Sequence, residues 1–424
     1  MSTEEVEYFR SRARDWIEQN LLPRDSSPAG KRGSSLSEEQ ELAAVRHERG
    51  IQRRLFDAGL AGITVPREYG GQGLTVDHQQ AFNAELTGYE YPTRLQIPTF
   101  TPCASVLLEF GTEEQKKRHI PAILRGEELW MQLLSEPNGG SDIAGALTTA
   151  VRDGDEWVLN GSKIWTTGAW WSDWGLCLAR TNWDVPKHRG LSVFILPLHQ
   201  PGVDIRRIEM LDGSKEFCQE FFTDVRVPDS DRIGEVDDGW TVCVRWLFHE
   251  RMLYNSPLVT HPPDATGAYI GVSPAINVAR DCDRLSDPLA LDLVGEARML
   301  ELVGSELDKR IRVGIRSGRM ADQAAAIARL FNGIASARSR TIRFEISSSV
   351  GAAWSDVDGS AGGSAMEYLL RQGSCIGGGT TEMARNVISE RVLGMPRERA
   401  MDRDVAFREV PRGASGPSDG SSDR

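Results

Sequence analysis

The sequence predicts an α+β fold built in three successive parts, and changes of pattern along the chain predict it. Over residues 1–128 apolar side chains recur at helical spacing. Over residues 129–235 they collect into short runs separated by turn dipeptides. From residue 236 to 405 long, Ala- and Leu-rich amphipathic stretches return. A chain of 424 residues exceeds one ordinary core and suits two or three domains. The β unit must bury a face against helices, because neither part closes a core alone. The seams between such units are natural places for a cofactor.

In the first part, Glu4–Asn20 carries Val6, Phe9, Ala13 and Trp16 at helical spacing. Asp25–Ser37, rich in Ser, Gly and Pro, reads as a loop. Glu39–Ala58 and Asp77–Tyr91 read as helices, with the Pro- and Gly-punctuated turn Gly62–Gly73 between them. In the second part, Asp153-Gly154 and Asn160-Gly161 are both hairpin-type signals. Strands are expected at Gly175–Arg180, Leu191–Leu198, Val203–Ile208 and Glu216–Val227, forming an antiparallel β unit. In the third, Leu289–Ser317 and Met320–Ser347 read as long helices. Pro257, Pro262, Pro263 and Pro274 forbid a continuous helix over Asn255–Pro274. Residues 406–424 are expected to be a disordered tail, whose end, Arg412–Arg424, is mostly Gly, Ser and Asp without apolar anchors.

Forty-nine Lys and Arg against 61 Asp and Glu leave a formal charge of −12. That balance argues against nucleic acid or an anionic membrane as partner, while leaving room for a local basic pocket. The six cysteines (Cys103, Cys177, Cys218, Cys243, Cys282, Cys375) form no CxxC pair. No metal site is expected, and the thiols read as reduced and packed. The charged amphipathic N-terminus lacks the apolar core of a secretion signal, and the longest apolar runs are too short to span a bilayer. A soluble, cytoplasmic protein is expected.

The segment Trp130–Ala169 carries the most chemistry. Ser135–Asp142 is a Gly-rich turn whose successive backbone N–H groups can form an anion-binding nest, with Ser135 and Ser141 adding hydroxyls. Trp165 offers a flat surface and Thr167 a hydroxyl, and strand residues two apart face one side. That pairing suits a large planar cofactor; the same spacing also suits a surface turn followed by a core Trp.

The runs Ser135-Glu136-Pro137 through Gly140-Ser141-Asp142, and Asn160-Gly161 through Lys163 to Trp165, resemble the flavin-binding signature of the acyl-CoA dehydrogenases. Gly62–Gly73, Gly111–Glu127, Phe221–Pro228, His249–Arg251 and Ile388–Gly394 are similar to further landmarks of that family, so the resemblance spans about residues 5–400. It implies a helical N-terminal domain, a β domain and a C-terminal four-helix bundle. It implies FAD, with Leu134, Ser135, Gly140 and Ser141 along the flavin and its phosphates, and Trp165 and Thr167 beside the isoalloxazine ring, Thr167 near N5. Ser141 and Arg251 would also touch the acyl-CoA substrate. The implied reaction, of the fatty acid β-oxidation type, is α,β-dehydrogenation of an acyl thioester: a carboxylate takes the α proton and flavin N5 accepts the β hydride. An electron-transfer flavoprotein or similar acceptor would then take the electrons.

The sequence departs from the family at several points. The usual base lies in a Tyr-Glu-Gly-Thr motif; aligning Ile376–Asn386 on Gly379-Thr380 puts Gly378 at the glutamate position. Thr380 keeps a flavin-contact position and Glu382 stands where the family often has glutamine. A second base position, used in some branches, lies just before an arginine in the first C-terminal helix; here it is Glu250-Arg251. Val242, Trp246 and Glu250 share a helix face, so burial would raise the Glu250 pKa as a base requires. The alternative is an ordinary Glu–Arg structural pair, with His249 a helix-surface residue.

Flavin contacts that members lend to a neighbouring subunit are eroded. Arg280 matches an arginine of such a motif, whose Phe and Gly are missing. In Glu345–Gly351, Glu345 replaces a glutamine and Ser348 and Ser349 replace glycines that allow close backbone approach. The expected assembly is a homotetramer, or a heterotetramer with a second family member. Three readings follow: an active dehydrogenase using Glu250, a catalytically incomplete subunit of a heteromeric dehydrogenase, and a flavin oxidase or oxygenase on the same fold.

Overall fold

The structure, a computed structural model, describes residues 4–24, 27, 36–252, 256–262, 273–353 and 359–411. The chain runs helices, then a sheet, then helices. The N-terminal helices are α1 (Val6–Asn20), α2 (Glu38–Asp57), α3 (Val76–Glu85), the single turn α4 (Thr93–Leu95), α5 (Ser105–Phe110) and α6 (Glu113–Leu124). In α1, Phe9, Ala13 and Ile17 are buried one turn apart, the helical period read in the sequence. Reciprocal side-chain caps start α2 (Ser37 with Gln40) and α6 (Thr112 with Gln115), satisfying N–H groups that a helix start leaves free. Helix α3 stops at Glu85, short of the expected Tyr91. Gly88 adopts a left-handed φ of 84°, and the N–H of Glu90 turns out of the helix to bond Leu22 O.

The middle region is one eight-stranded sheet: β1 (Trp130–Leu133), β2 (Thr149–Asp153), β3 (Glu156–Thr167), β4 (Trp174–Arg180), β5 (Leu191–Pro197), β6 (Val203–Ile208), β7 (Phe217–Pro228) and β8 (Arg232–Ile233). The strand order is β6-β7-β3-β2-β4-β5-β8, with β1 added on β4. The expectation of an antiparallel unit needs correction: β1 pairs β4 in parallel, and β2 meets β4 in parallel at Thr149–Arg180. The Asp153-Gly154 signal is the β2–β3 turn, with Gly154 at φ 65°. Asn160-Gly161 is not a turn. It is an irregularity inside β3, where Gly161 lets the Thr148 backbone approach; a Cβ there would fall 2.7 Å from Thr148 Cα.

Both sheet faces are covered. On β4, Leu176 and Leu178 join a core shared with the N-terminal helices, while Cys177 and Ala179 join a second core within the β region. Val193 and Ile195 alternate in the same way with Phe194 and Leu196 on β5.

The C-terminal region holds α7 (Gly239–Met252), α8 (Pro274–Asp281), α9 (Pro288–Arg316), α10 (Ala325–Ala352), α11 (Gly359–Leu369) and α12 (Thr381–Val387). Helices α8, α9, α11 and α12 all pack on α10. By contrast α7 leaves them and lies in the seam: Val242, Cys243 and Trp246 belong to the core shared by N-terminal helices and sheet. Helix α10 starts later and ends later than expected, and Ser348 (φ 53°, ψ −132°) kinks it. In the Pro-rich segment, residues 256–262 are non-helical and dock on the N-terminal helices. Of the remainder, Ser273 is described and Pro274 opens α8, while residues 255 and 263–272 lie outside the described residues.

The tail expectation also needs correction. Residues 406–411 are docked, because Phe407 is the apolar anchor the sequence reading missed. Its ring stacks on Trp183 at 5.3 Å and lies under the Arg180 guanidinium at 3.9 Å. Residues 412–424 lie outside the described residues, as do residues 25–26 and 28–35 of the expected Asp25–Ser37 loop. No helix among the described residues is long and apolar enough to cross a membrane. Among the same residues the cysteines are free thiols.

Candidate active site

A cleft of about 400 Å³ opens between the N-terminal helices and the end of β3. One wall is Trp165, Thr166 and Thr167; the other includes Tyr91, Thr93, Gln96 and His261, with Gln132 between. The N-terminal wall is anchored by Glu48 on α2, which accepts the Arg94 N–H at 2.6 Å and pairs with the Arg94 guanidinium, both side chains buried. His261 is carried in from the segment after α7, held by its own N–H to Asn83 Oδ1 (3.2 Å) and by the neighbouring Thr260 N–H to Gln96 Oε1 (2.8 Å).

The β3 wall is not a regular strand. The register slips between Ile164 and Thr166, and Trp165 sits at φ 67°, a conformation that costs a bulky residue about 1–3 kcal/mol. Trp165 and Thr167 both line the cleft, and the register slip brings the intervening Thr166 to it as well. The Trp165 indole remains 52% exposed, braced edge-on by Phe217.

Upstream, the Ser135–Asp142 turn is clamped to β3. Lys163, fully buried, donates to Glu136 Oε1 at 2.8 Å and to Leu134 O at 3.1 Å. Glu136 also accepts the N–H groups of Leu147 (2.6 Å) and Thr148 (3.0 Å). Burial opposes its charge, but Lys163 and the two backbone bonds outweigh it and hold the carboxyl below its usual range. Leu134 is buried beneath the turn, Ser135 is half-buried and its carbonyl accepts Ile164 N–H at 2.9 Å, and Gly140 and Ser141 face solvent.

Glu250 sits on α7 one turn beyond buried Trp246. Trp246 Nε1 donates to Gln132 Oε1 at 2.9 Å, which leaves the other end of that amide to donate to Glu250. Burial pushes the Glu250 carboxyl up, against the opposing pull of Arg251, Gln132 and Arg329. A Cβ placed on Gly378 would lie 3.9 Å from Glu250 Oε1 and 3.9 Å from Arg329 Nε. The structure thus brings Glu250 and Gly378 together although 128 residues separate them in the chain.

The other singled-out residues are placed differently. Arg251 is exposed, and His249 bonds Glu109 at 2.8 Å on the helix flank. Thr380 caps α12 through Met383 N–H (3.1 Å), and Glu382, in its first turn, bonds Arg385. Arg280, exposed on α8, bonds Asn277 at 2.9 Å. Arg280, Thr380 and Glu382 are not among the cleft's lining residues. Sequence reasoning missed Gln132, Gln96, His261, Arg329 and Glu220. Gln132 carried a signal, being the polar residue in an otherwise apolar strand. Glu220, wholly buried on β7, accepts Thr166 Oγ1 at 2.9 Å, and its other oxygen has no hydrogen-bond partner among the described residues.

A three-part helix–sheet–helix scaffold carries a cleft at its seam, with the half-buried Glu250 carboxylate reached through Gln132. Comparison with known proteins supplies the class. Residues 3–127 match the model of the acyl-CoA dehydrogenase N-terminal domain, and residues 132–225 that of the middle domain. The chain belongs to the acyl-CoA dehydrogenase family, flavoprotein oxidoreductases that act on acyl-CoA. It is 32% identical over 405 residues to acyl-CoA dehydrogenase IpdE1 of Mycobacterium tuberculosis, covering 93% of this chain and 99% of that protein. Among solved structures it is similar to the Tcur3481-Tcur3483 steroid ACAD (TM-score 0.73, 25% identity, covering 94% of this chain and 100% of that one). It is also similar to the ChsE4-ChsE5 complex from Mycobacterium tuberculosis (TM-score 0.65, 25% identity, covering 94% and 99%).

Proposed function

We propose that this chain carries out α,β-dehydrogenation of an acyl-CoA thioester with FAD, and that Glu250 is the base. The observation that carries the reading is the convergence of the Glu250 carboxylate on the space beside Gly378, where the family's usual base is missing. The residues present fit a flavin. A strained, half-exposed indole and two threonines line a cleft large enough for a planar ring, and the Ser135–Asp142 turn beside them is clamped in place. Trp165 and Thr167 would hold the ring; Leu134, Ser135, Gly140, Ser141 and Thr380 would hold the rest, and Ser141 and Arg251 the CoA portion. When bound, the flavin supplies the hydride acceptor.

The protein's own part is acid–base chemistry and position. Gln132, fixed by Trp246, aims the Glu250 carboxylate. Burial makes that carboxylate a stronger base than one in water. The α proton of the thioester ends on Glu250. The wall from Tyr91 to Pro98, with His261, sets the shape offered to the acyl group. Its polar members suit a bulky acyl group bearing oxygen, in keeping with the steroid ACAD name of one structural neighbour.

The test is the visible spectrum of the purified chain during anaerobic addition of acyl-CoAs. Bleaching of a flavin band in the parent and its loss in Glu250→Gln, with flavin retained, is the expected result. Bleaching that survives in Glu250→Gln sinks the assignment of the base.

A second reading concerns assembly with another family member, and a surface feature favours it. Leu291, Leu302 and Val313 are exposed on α9 at intervals of eleven residues, with Met299 and Val303 beside them, forming an apolar stripe. Together with the replacements at Glu345, Ser348 and Ser349, this suits a subunit that completes its flavin site with a partner, as the two-component names of its neighbours suggest. Flavin content that rises on co-expression with a family member carrying the usual glutamate supports this reading; a flavin-saturated homotetramer counts against it.

A further inference from the structure

The space beside Gly378 has a second wall, Arg329 on α10, and its surroundings are built around it. Both terminal nitrogens are committed: Nη1 donates to Ser374 O at 2.9 Å and Nη2 to Gly377 O at 2.8 Å. The guanidinium therefore grips the turn that presents Gly378 and Gly379, whose φ values of 73° and 95° need glycine. Gly333, one turn along α10, makes room for the grip: a Cβ there would fall 2.7 Å from Arg329 Nη1 and 3.1 Å from Ser374 O. The Nε atom is buried, and its N–H has no hydrogen-bond partner among the described residues. It flanks the same point as Glu250 Oε1, each 3.9 Å from where a Gly378 side chain would start.

We propose that Arg329 is a positioning residue for Glu250, clasping the 374–379 turn clear of the carboxylate and presenting a fixed positive charge that keeps Glu250 in its proton-accepting form. This rests on the reading of Glu250 as the base. The groups that face Glu250 are few. Arg251 follows it on α7, is exposed, and exerts the larger pull of the two cations on the carboxylate. Gln132 on β1 is neutral. The thiols of Cys103 and Cys243 lie near, and burial pushes both up, Cys243 to about 12, so neither carries charge at neutral pH. Arg329 adds a second cation, half-buried, which acts on the carboxylate from across the space beside the larger pull of Arg251.

The experiment has two readouts. The first is α-proton exchange in D2O of a 3-thia acyl-CoA, whose β sulfur blocks dehydrogenation, followed by mass spectrometry across pH. The second is amide hydrogen exchange of residues 374–379 without any acyl-CoA. In Arg329→Gln the acid limb of α-proton exchange should move up by about one pH unit, because an opposite charge no longer favours the ionised carboxylate. Amide exchange of the turn should quicken about tenfold. Arg329→Lys should restore the limb, since it keeps the charge, but not the protection, since an ammonium cannot match the fork that holds two carbonyls. Exchange abolished in Glu250→Gln with a limb that stays put in Arg329→Gln overturns this inference and leaves Glu250 as base. Exchange that persists in Glu250→Gln overturns both.

Discussion

Glu250 Oε1 stands 3.9 Å from the point where a side chain on Gly378 would begin. On the proposed reading, the carboxylate of Glu250 and a side chain at position 378 would share one small space. Gly378→Glu would put a second carboxylate there. No atom lies closer than 3.9 Å to the new Cβ, so the cost is conformational, about 1 kcal/mol for a side chain at φ 73°. Like charges would then raise the pKa of Glu250 further. The expected outcome is a folded protein, by circular dichroism, whose flavin reduction by acyl-CoA needs a higher pH than the parent. An unchanged pH profile would show that the two positions do not share the space.

The Glu136–Lys163 pair makes a different claim, about the turn rather than the base. Glu136→Ala leaves Lys163 buried and uncompensated, which costs about 3–5 kcal/mol. Chemical denaturation should show a loss of that size. A loss under about 1 kcal/mol, the scale of an exposed pair, would mean that the pair is not the clamp.

Glu220 carries a pH dependence of its own. Burial raises its carboxyl from 4.5 to about 8, and the bond from Thr166 and the charge of Lys163 offset only part of the rise. The folded state therefore binds a proton that the unfolded state releases between about pH 4.5 and pH 8. Stability contributed by this group is complete below pH 4.5 and lost as pH rises through 8, at ~1.4 kcal/mol per unit. Glu220→Gln, which stays neutral, should melt higher than the parent at pH 8.5 and equally at about pH 4. Equal melting at both pH values would sink the assignment.

Ser348 holds a backbone conformation, φ 53° and ψ −132°, that glycine adopts without strain. Ser348→Gly should gain about 1 kcal/mol in denaturant unfolding. A destabilised variant would mean that the Ser348 side chain matters more than its backbone.

Phe407 ties the chain's last described residues to the β region, and Lys187 spans from Asp402 (2.9 Å) to Asp142 (3.0 Å) at the end of the Ser135–Asp142 turn. Phe407→Ala removes the anchor, and protease cleavage within residues 396–411 should become much faster. Cleavage at the parental rate would show that the main-chain bonds to Trp183 and Val185 hold the strap alone.

Much of this was legible in the residues themselves. Local periodicity determined the helices and strands, because side-chain burial repeats every 3.6 or 2 residues whatever the rest of the fold does. Trp165 and Thr167 could be singled out from a dense run of neighbours, and Glu250 from its resemblance to a second base position, supported by its place on the face of Val242 and Trp246. Tertiary structure decided the rest. The parallel pairing of β1 with β4, the docking of Phe407 on Trp183, and the meeting of Glu250, Gln132, Arg329 and Gly378 all join residues far apart in sequence. No local pattern encodes such contacts. They arise when helices and sheet bury their apolar faces together, and that packing chooses which polar side chains are carried to one point.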